Sequence, residues 1–254
     1  MDKRKLAVVI LAAGKGKRMN NPNIPKVLAE IDGKPLIYYV LSEVQNLSPE
    51  RIVVVVGHHK ELVIDFINDN GFVNIEFVEQ NQQLGTGHAV DMSRGLLSGF
   101  DGDTLILAGD VPLLSSDSLK KFINLHIESK SDASVLSTIA PDPTGYGRIV
   151  RDESKNFLKI TEHKDANDNI RKIDEINSGI FIVNTHLLFD SLKKVQNNNA
   201  QGEYYLTDII EILKSEDRKV HAINAAPFAE LQGINTLEEL ANAEKLYKLL
   251  RKNL

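Results

Sequence analysis

Residues 6–26 read LAVVILAAGKGKRMNNPNIPK, and this stretch predicts both the fold class and the kind of ligand. It begins with an apolar run over 6–11, which suits a buried parallel strand and is too short to cross a membrane. Small residues and glycines follow, and they let backbone N–H groups approach an anion. Lys15, Lys17 and Arg18 come next, and Lys26 lies further on. The pattern predicts a phosphate-binding loop at the carboxyl end of the first strand.

Two better-known phosphate loops do not fit this stretch. A dinucleotide-binding loop needs a third glycine where Met19 stands, and the second predicted strand ends in Gly57-His58 instead of an acid. The P-loop pattern G-x-x-x-x-G-K-[ST] occurs in no window of the chain. The plain alternative is a strand-to-helix turn with solvated lysines. Arg18 and Lys26 favour phosphate binding over that alternative.

Composition narrows the classes of function. The chain has 254 residues, which suffice for one large α/β domain or two small ones. A net charge of -5 disfavours a general role in nucleic-acid binding, so an anionic ligand must be held by local cations. The absence of cysteine excludes disulfides, thiolate metal sites and cysteine nucleophiles. No run is long enough for a membrane span, and we expect a cytoplasmic enzyme with no membrane partner.

Strands and helices alternate in the first half of the chain. Strands are predicted over 6–11, 52–56, 73–78 and 104–108, with helices over 35–46 and 59–68 and after a second glycine turn near Gly85. This order implies parallel strands joined by right-handed crossovers, and ligands bind such sheets at the carboxyl ends of the strands. The Gly14 loop, the Gly85 turn and Asp110 all fall at that edge.

The second half mixes shorter strands with helices. Strands are predicted over 133–139, 147–151, 157–163, 176–183 and 219–224, and helices over 116–129, 186–195, 204–214 and 236–251. No linker is long enough to separate independent domains. We therefore predict one domain over 1–254, with a nucleotide-binding half at about 1–112 and a second-substrate half at about 113–254.

Acidic residues lie near both ends of the strand predicted at 104–108. Asp110 follows its carboxyl end, where a carboxylate suits Mg²⁺ shared with phosphate oxygens. The plain alternative is a turn aspartate before Pro112. Asp101 and Asp103 lie at the opposite edge and are predicted to be solvated turn acids.

The second glycine turn, Gly85-Thr86-Gly87-His88, opens a predicted helix. Thr86 could cap that helix, while a helix N-terminus flanked by glycines also attracts anions. Gln80 could hydrogen-bond a nucleobase edge through its amide. His88 is interpreted as structural, and the seven histidines show no ligand spacing, so no zinc or iron site is expected.

The motifs LAAGKGKRM, PKVL, QLGTGHA, GDVPL, DPTGYGRI, EHKDA, EINSGI, NNNAQGEYYLTDII and QGIN follow one another along nearly the whole chain. Together they resemble the pyrophosphorylase domain of the bacterial bifunctional enzymes that make UDP-N-acetylglucosamine. The first motif alone marks only the broad sugar-nucleotidyltransferase superfamily. GYGRI, EHKDA and NNNAQGEYYLTDII are much narrower.

The resemblance implies an α/β fold of the Rossmann-like GT-A nucleotidyltransferase type, with a mixed, mostly parallel central sheet and helices on both faces. It implies that UTP and N-acetylglucosamine 1-phosphate give UDP-N-acetylglucosamine and pyrophosphate, with Mg²⁺ as cofactor. Nucleotide contacts are implied for Leu11, Ala12, Ala13, Gly14, Gln80, Gly85 and Thr86. Arg18 and Lys26 would hold the phosphates as catalytic residues, and Asp110 and Asn235 would bind Mg²⁺. Sugar contacts are implied for Gly147, Glu162, Asn177 and Thr207.

Some positions depart from the family pattern. Lys17 stands where threonine is usual, and Ala108 stands where tyrosine is common. Family members continue into a hexapeptide-repeat β-helix that acetylates glucosamine 1-phosphate, and no such repeat occurs here, so that activity is not expected. The alternatives are a nucleotidyltransferase for glucose 1-phosphate or dTTP, a nucleotide-sugar binding module without turnover, and a structural domain. The oligomeric state stays open.

Overall fold

A computed structural model of the protein describes residues 4–14, 16, 19 and 24–252. Its strands are β1 (Leu6–Leu11), β2 (Glu30–Ile31), β3 (Lys34–Pro35), β4 (Arg51–Val56), β5 (Ile75–Glu79), β6 (Asp103–Ala108), β7 (Ala133–Ile139), β8 (Arg148–Arg151), β9 (Phe157–Thr161), β10 (Glu175–Asn184) and β11 (Val220–Asn224).

The α-helices of the same residues are α1 (Leu36–Gln45), α2 (Lys60–Asp69), α3 (Thr86–Asp91), α4 (Arg94–Leu97), α5 (Ser116–Glu128), α6 (Asp168–Arg171), α7 (Thr185–Leu192), α8 (Asp208–Ser215) and α9 (Leu237–Lys252). Short 3₁₀ turns lie at Lys26–Leu28 and Phe228–Glu230. Within the residues described, no helix combines the length and the apolar composition needed to cross a bilayer.

Nine of the described strands form one sheet with the central order β11-β7-β10-β6-β1-β4-β5, and the β8–β9 pair joins it through β10. Four of the six neighbouring pairs along that order are parallel: β11-β7, β6-β1, β1-β4 and β4-β5. β10 runs antiparallel to both β6 and β7. The predicted mixed, mostly parallel sheet is therefore confirmed, and strands from both halves of the chain belong to it.

Both faces of the sheet are buried, which explains the continuous apolar runs of β1 and β4. Alternating side chains such as Val9 and Val53 meet α3, α4, α7 and α8 on one face. Val8 and Val54 meet α1, α2 and α5 on the other. Helices therefore cover both faces of the sheet. Polar groups that bind a ligand are expected at the ends of the strands, because the faces are buried.

The helix predicted over 204–214 begins four residues later, at Asp208. The preceding residues bond to the second glycine turn instead of to a helix. Tyr204 N donates to the Leu84 carbonyl at 2.7 Å, and Gly87 N donates to the Tyr204 carbonyl at 2.8 Å. Residue 204 therefore stays outside the helix, because its N–H and carbonyl groups bond to the second glycine turn.

Asp103 is not the solvated turn acid that the sequence predicts. It is the first residue of β6, in register with Leu6 of β1 and Asn184 of β10, so strands flank it on both sides. The Arg4 guanidinium donates to its carboxylate at 3.3 Å, and the His126 ring lies 3.5 Å from the same oxygen. Asp101, in contrast, is exposed as expected.

Candidate active site

A cavity of about 280 Å³ opens at the carboxyl ends of β1 and β6. Eight of the residues predicted to form the site line it: Leu11, Ala13, Gly14, Lys26, Gln80, Gly85, Thr86 and Asp110. The position agrees with the rule that open α/β sheets bind ligands at this edge. Ala12 does not line the cavity, because its side chain packs in the core beneath β1.

A larger cavity, of about 630 Å³, lies at the opposite edge of the sheet. Its lining includes Arg4, Asn46 and Lys120, and none of the residues predicted to form the site. Size alone does not identify a functional cavity here. The smaller cavity combines glycine turns, a lysine and a carboxylate, which is the chemistry that a polyphosphate requires.

The first glycine loop folds back onto Lys26. Gly16 has a φ of +58°, and a Cβ atom there would lie 2.8 Å from the Lys26 Cβ atom. Both the left-handed backbone and the close approach therefore require glycine. The predicted catalytic residue Arg18, together with Lys15 and Lys17, lies outside the described residues.

The second glycine turn is held by side chains that the sequence assigns to other tasks. The Gln80 amide nitrogen donates to the Gly85 carbonyl at 3.1 Å and lies 3.0 Å from Nδ1 of His88. Gln80, which the sequence predicts to contact a nucleobase, thus stabilises the turn. His88 lies against Gln80, in agreement with its predicted structural role. Thr86 does not cap α3, because its hydroxyl accepts a hydrogen bond from Leu206 N at 3.1 Å.

Gln83 lines the cavity and was missed in the sequence. Its side-chain amide donates to the Ala13 carbonyl, so it links the second glycine turn to the first loop across one wall. The available signal was its place three residues after Gln80, on the same turn. Glu203 also lines the cavity and was likewise missed.

Lys26, Asp110 and Asn235 meet although they are far apart in sequence, and the first two line the cavity. The Lys26 ammonium forms an ion pair with the Asp110 carboxylate and donates to the Asn235 side-chain oxygen at 2.8 Å. Ile234 N donates to the Asp110 carbonyl at 3.0 Å, which brings the Asn235 segment to the end of β6. The predicted catalytic lysine therefore lies between the two predicted metal ligands.

The donor set of this triplet fits Mg²⁺. Asp110 and Asn235 both offer hard oxygen atoms, and Mg²⁺ commonly takes one or two protein oxygens and completes its shell with phosphate and water. The Lys26 ammonium between them shows that these oxygens favour a positive charge. Among the described residues, no cluster of three or more histidine or acidic side chains could hold a metal ion by itself.

The four predicted sugar contacts also come together. The Thr207 hydroxyl donates to the Glu162 carboxylate at 3.2 Å, and a Cβ atom on Gly147 would lie 3.4 Å from the same oxygen. Asn177 N donates to the Gly147 carbonyl at 2.9 Å. Asn177 and Thr207 are buried. Glu162 and Asn177 carry the carboxylate and amide groups that can hydrogen-bond sugar hydroxyls.

This part of the site is acidic. Burial raises the pKa of Glu162, and Asp165, Asp208 and Glu203 raise it further, against the opposing effect of the Thr207 hydrogen bond. Burial and the neighbouring Glu211 and Asp165 raise the pKa of Asp208 to about 6. The predicted sugar contacts thus lie among acidic residues beside α8.

One short segment, residues 204–207, connects the cavity and the predicted sugar contacts. Leu206 N donates to the Thr86 hydroxyl in the cavity at the carboxyl edge, and the next residue, Thr207, donates to Glu162. The segment also pairs with the second glycine turn through Tyr204. The arrangement can hold a phosphate-bearing ligand and a polyhydroxyl ligand side by side.

Comparison with known families identifies the class of protein to which this fold belongs. A profile of the nucleotidyl transferase family matches residues 7–227, and the chain belongs to that family. Its solved structural neighbours include UDP-glucose pyrophosphorylase complexed with UDP-glucose, with a TM-score of 0.77, 19% identity, and coverage of 96% of this chain and 98% of that one. The apo form of a UDP-glucose pyrophosphorylase gives 0.75 at 17% identity, over 97% and 99% of the two chains. These likenesses confirm the predicted fold.

Relatives of closer sequence carry a more particular name. Bifunctional protein GlmU of Streptococcus mutans is 45% identical over 240 residues, which cover 94% of this chain and 51% of the relative. The protein of the same name from Caldanaerobacter subterraneus is 44% identical over 243 residues, covering 96% and 52%. The chain thus spans about half the length of the curated relatives it matches.

Proposed function

We propose that this protein transfers UMP from UTP to N-acetylglucosamine 1-phosphate, forming UDP-N-acetylglucosamine and releasing pyrophosphate. The observation that carries the proposal is that Lys26 and Asp110 line the cavity at the carboxyl edge and that Asn235 bonds to the same Lys26 ammonium. The cluster of Gly147, Glu162, Asn177 and Thr207 supplies a neighbouring place for the sugar. The family membership and the named relatives at 44–45% identity support the same reaction.

In this proposal the first loop and the second glycine turn bind the nucleotide. The backbone of Leu11, Ala12, Ala13 and Gly14 faces the uridine and its phosphates, with Gln80, Gly85 and Thr86 on the opposite wall. Gln80 acts mainly by fixing the Gly85 turn, since its amide nitrogen is already used within the protein. Gln83 links the second glycine turn to the first loop through its hydrogen bond to the Ala13 carbonyl.

Mg²⁺ bound to Asp110 and Asn235 would neutralise charge on the nucleotide and sugar phosphates. The attacking oxygen of the sugar phosphate is already ionised, so the protein need not supply a general base. Catalysis then depends on positioning the phosphate oxygen for in-line attack on the α-phosphorus and on neutralising the developing charge. Lys26 donates to the phosphates once its ammonium leaves the two oxygens that hold it in the free protein, and Arg18 is proposed to act beside it.

The test is a pyrophosphate-release assay with UTP, N-acetylglucosamine 1-phosphate and Mg²⁺, in which each component is omitted in turn. We expect release only in the complete mixture. Parallel reactions with glucose 1-phosphate and with dTTP should be slower, and a faster rate with either would reassign the substrate. A protein that binds UDP-sugars but releases no pyrophosphate with any pair would be a binding module, which would refute the proposal.

A further inference from the structure

Arg148 is the largest side chain that the described part of the protein buries completely, with 1% of its surface exposed. It lies at the start of β8, directly after Gly147. Within the described residues it forms no ion pair with a carboxylate, and its buried Nε atom has no hydrogen-bond partner. Burial lowers the pKa of Arg148, although guanidinium keeps its charge in proteins. The charge of Asp142 favours this guanidinium, but from beyond ion-pair distance. A buried charge with no carboxylate in direct contact is unfavourable, so its presence needs a reason.

Arg151, three residues along the same strand, shows the ordinary arrangement. Its guanidinium forms a two-pronged ion pair with Glu175, with both nitrogen–oxygen distances 2.7 Å. The strand therefore carries two arginines of opposite kinds. Arg151 pairs with an acid at the end of β8 that is away from Gly147. Arg148 donates only to uncharged acceptors, and it does so beside the predicted sugar contacts.

The acceptors of Arg148 belong to the segments that carry the sugar contacts. The guanidinium donates to the Tyr146 carbonyl, to the Arg171 carbonyl at 3.3 Å, and to Nδ1 of His163 at 3.4 Å. Tyr146 precedes Gly147, and His163 follows Glu162. One rigid group thus connects the two residues that flank the predicted sugar contacts.

The register of β8 and β9 shows why such a connection is needed. The ladder ends at the pair of Arg148 and Thr161, so Gly147 and Glu162 lie one residue beyond it. Asn177 of β10 holds the Gly147 carbonyl, but no hydrogen bond of the β8–β9 ladder sets the gap between Gly147 and Glu162. Side chains alternate across a strand pair, which places Arg148 on the face opposite Gly147 and Glu162. The guanidinium therefore fixes the end of the β8–β9 pair next to Gly147 and Glu162, from the face opposite to these two residues.

We propose that Arg148 is a positioning residue for the sugar half of the site, which sets the spacing of Gly147 and Glu162 without touching the substrate. This inference rests on the proposed function, because it assumes that these two residues contact the sugar. The planar fork of arginine reaches several carbonyl and ring acceptors at once, whereas lysine offers a single point of attachment. Arg148→Lys therefore keeps the charge and loses the connection.

The experiment measures calorimetric binding of UDP-N-acetylglucosamine and of UDP to the full chain, since the difference between the two isolates the sugar. We expect Arg148→Lys to weaken UDP-N-acetylglucosamine binding about tenfold, as is typical when a supporting hydrogen-bond partner is removed, and to leave UDP binding within about twofold. Arg151→Lys is the matched control, and both of its affinities should stay within about twofold of the unmodified protein.

His163→Ala removes one acceptor of the guanidinium and leaves Arg148 in place. If Arg148→Lys does not fold, the affinities of His163→Ala for UDP-N-acetylglucosamine and for UDP are compared instead. We expect a smaller loss in the same direction. Equal weakening of both nucleotides, or unchanged sugar-nucleotide affinity in Arg148→Lys, would overturn the inference. If the unmodified protein binds UDP-N-acetylglucosamine no better than UDP, the assignment of the sugar half fails, whereas the proposed function is tested separately by the pyrophosphate-release assay.

Discussion

The strand β6 carries the dipeptide Gly-Asp at each end, and the two aspartates have different surroundings. Asp103 begins the strand at the amino edge of the sheet and pairs with Arg4. Asp110 lies two residues beyond the strand at the carboxyl edge and pairs with Lys26. The Asp103 side chain is 5% exposed and the Asp110 side chain 14%. The same local sequence therefore gives a core ion pair at one end and a cavity wall at the other.

The difference comes from position relative to the neighbouring strands. Asp103 is still part of the ladder, so β1 and β10 flank it, and Arg4 and His126 both lie against one oxygen of its carboxylate. Asp110 has left the ladder, and its own carbonyl accepts from Ile234 while its carboxylate faces the cavity. An acid beyond the carboxyl end of a parallel strand is thus available to a ligand, whereas one within the first ladder pair is available only to the protein.

Replacing Asp110 should give the largest effect on activity. Asp110→Asn removes the charge that pairs with Lys26 and that would bind Mg²⁺, so we expect kcat/KM for pyrophosphate release to fall roughly 10²- to 10³-fold. The midpoint of thermal unfolding should move little, because the side chain lies at a cavity. A metal titration should show a raised Mg²⁺ requirement. Unchanged metal dependence would count against Asp110 as a ligand.

Replacing Lys26 should come next. Lys26→Met keeps much of the side-chain volume and removes the ammonium, and we expect kcat to fall about 10²-fold through lost charge neutralisation. Lys60→Met is the matched control, because Lys60 also pairs with a single acid, Glu79, outside the nucleotide cavity. Steady-state assays of both variants make the comparison. A near-normal kcat in Lys26→Met would refute the assigned role.

Replacing Asp103 should reverse the pattern, with an effect on stability instead of activity. Asp103→Asn weakens a charged hydrogen bond within the ladder, and we expect the free energy of unfolding to fall by about 2 kcal/mol. Urea unfolding followed by circular dichroism measures this change. The kcat/KM of the folded variant should stay close to that of the unmodified protein. A large fall in kcat/KM at full stability would mean that the two ends of β6 are not separate.

Asp208 adds a third carboxyl, one whose charged neighbours are acidic, and it should give the smallest effect. Its pKa is raised from 3.8 to about 6, so the folded protein binds this proton more tightly than the unfolded chain does. The stability that protonation supplies is complete below about pH 4 and is lost as the pH rises through about 6. Asp208→Asn should therefore stabilise the protein by about 1 kcal/mol at pH 8 and have little effect at pH 4. Urea midpoints at both pH values test this, and an equal effect at both would contradict it.

The sequence predicts regular elements better than it predicts their ends. Leu6–Leu11 matches its predicted strand and is a continuous apolar run. Ala133–Ile139 also matches its prediction, although Ser134, Ser137 and Thr138 interrupt its apolar residues. The helix predicted from residue 204 begins at Asp208, because a distant turn uses the backbone of Tyr204. Periodicity does not report such long-range hydrogen bonds.

The candidate site shows the same division. Glycine turns and the residues at the carboxyl edge could be predicted, because strand order alone places them together. Gln83 and the buried setting of Asp103 could not, since each depends on a partner far away in sequence, Ala13 in one case and Arg4 in the other. Gln80 donates to the Gly85 carbonyl and so stabilises the second glycine turn. The sequence could not predict this role, because a side-chain amide can hydrogen-bond either a ligand or the backbone.

The segment 204–207 bonds to Thr86 at one position and to Glu162 at the next. Under the proposed function, we expect this segment to link the binding of the two substrates thermodynamically. A ligand that shifts this segment from the uridine side changes the affinity on the sugar side, and reciprocity requires the same factor in the opposite direction. An inhibitor directed at the nucleobase pocket should accordingly be ranked with the sugar phosphate present, because its potency in isolation describes only half of the equilibrium.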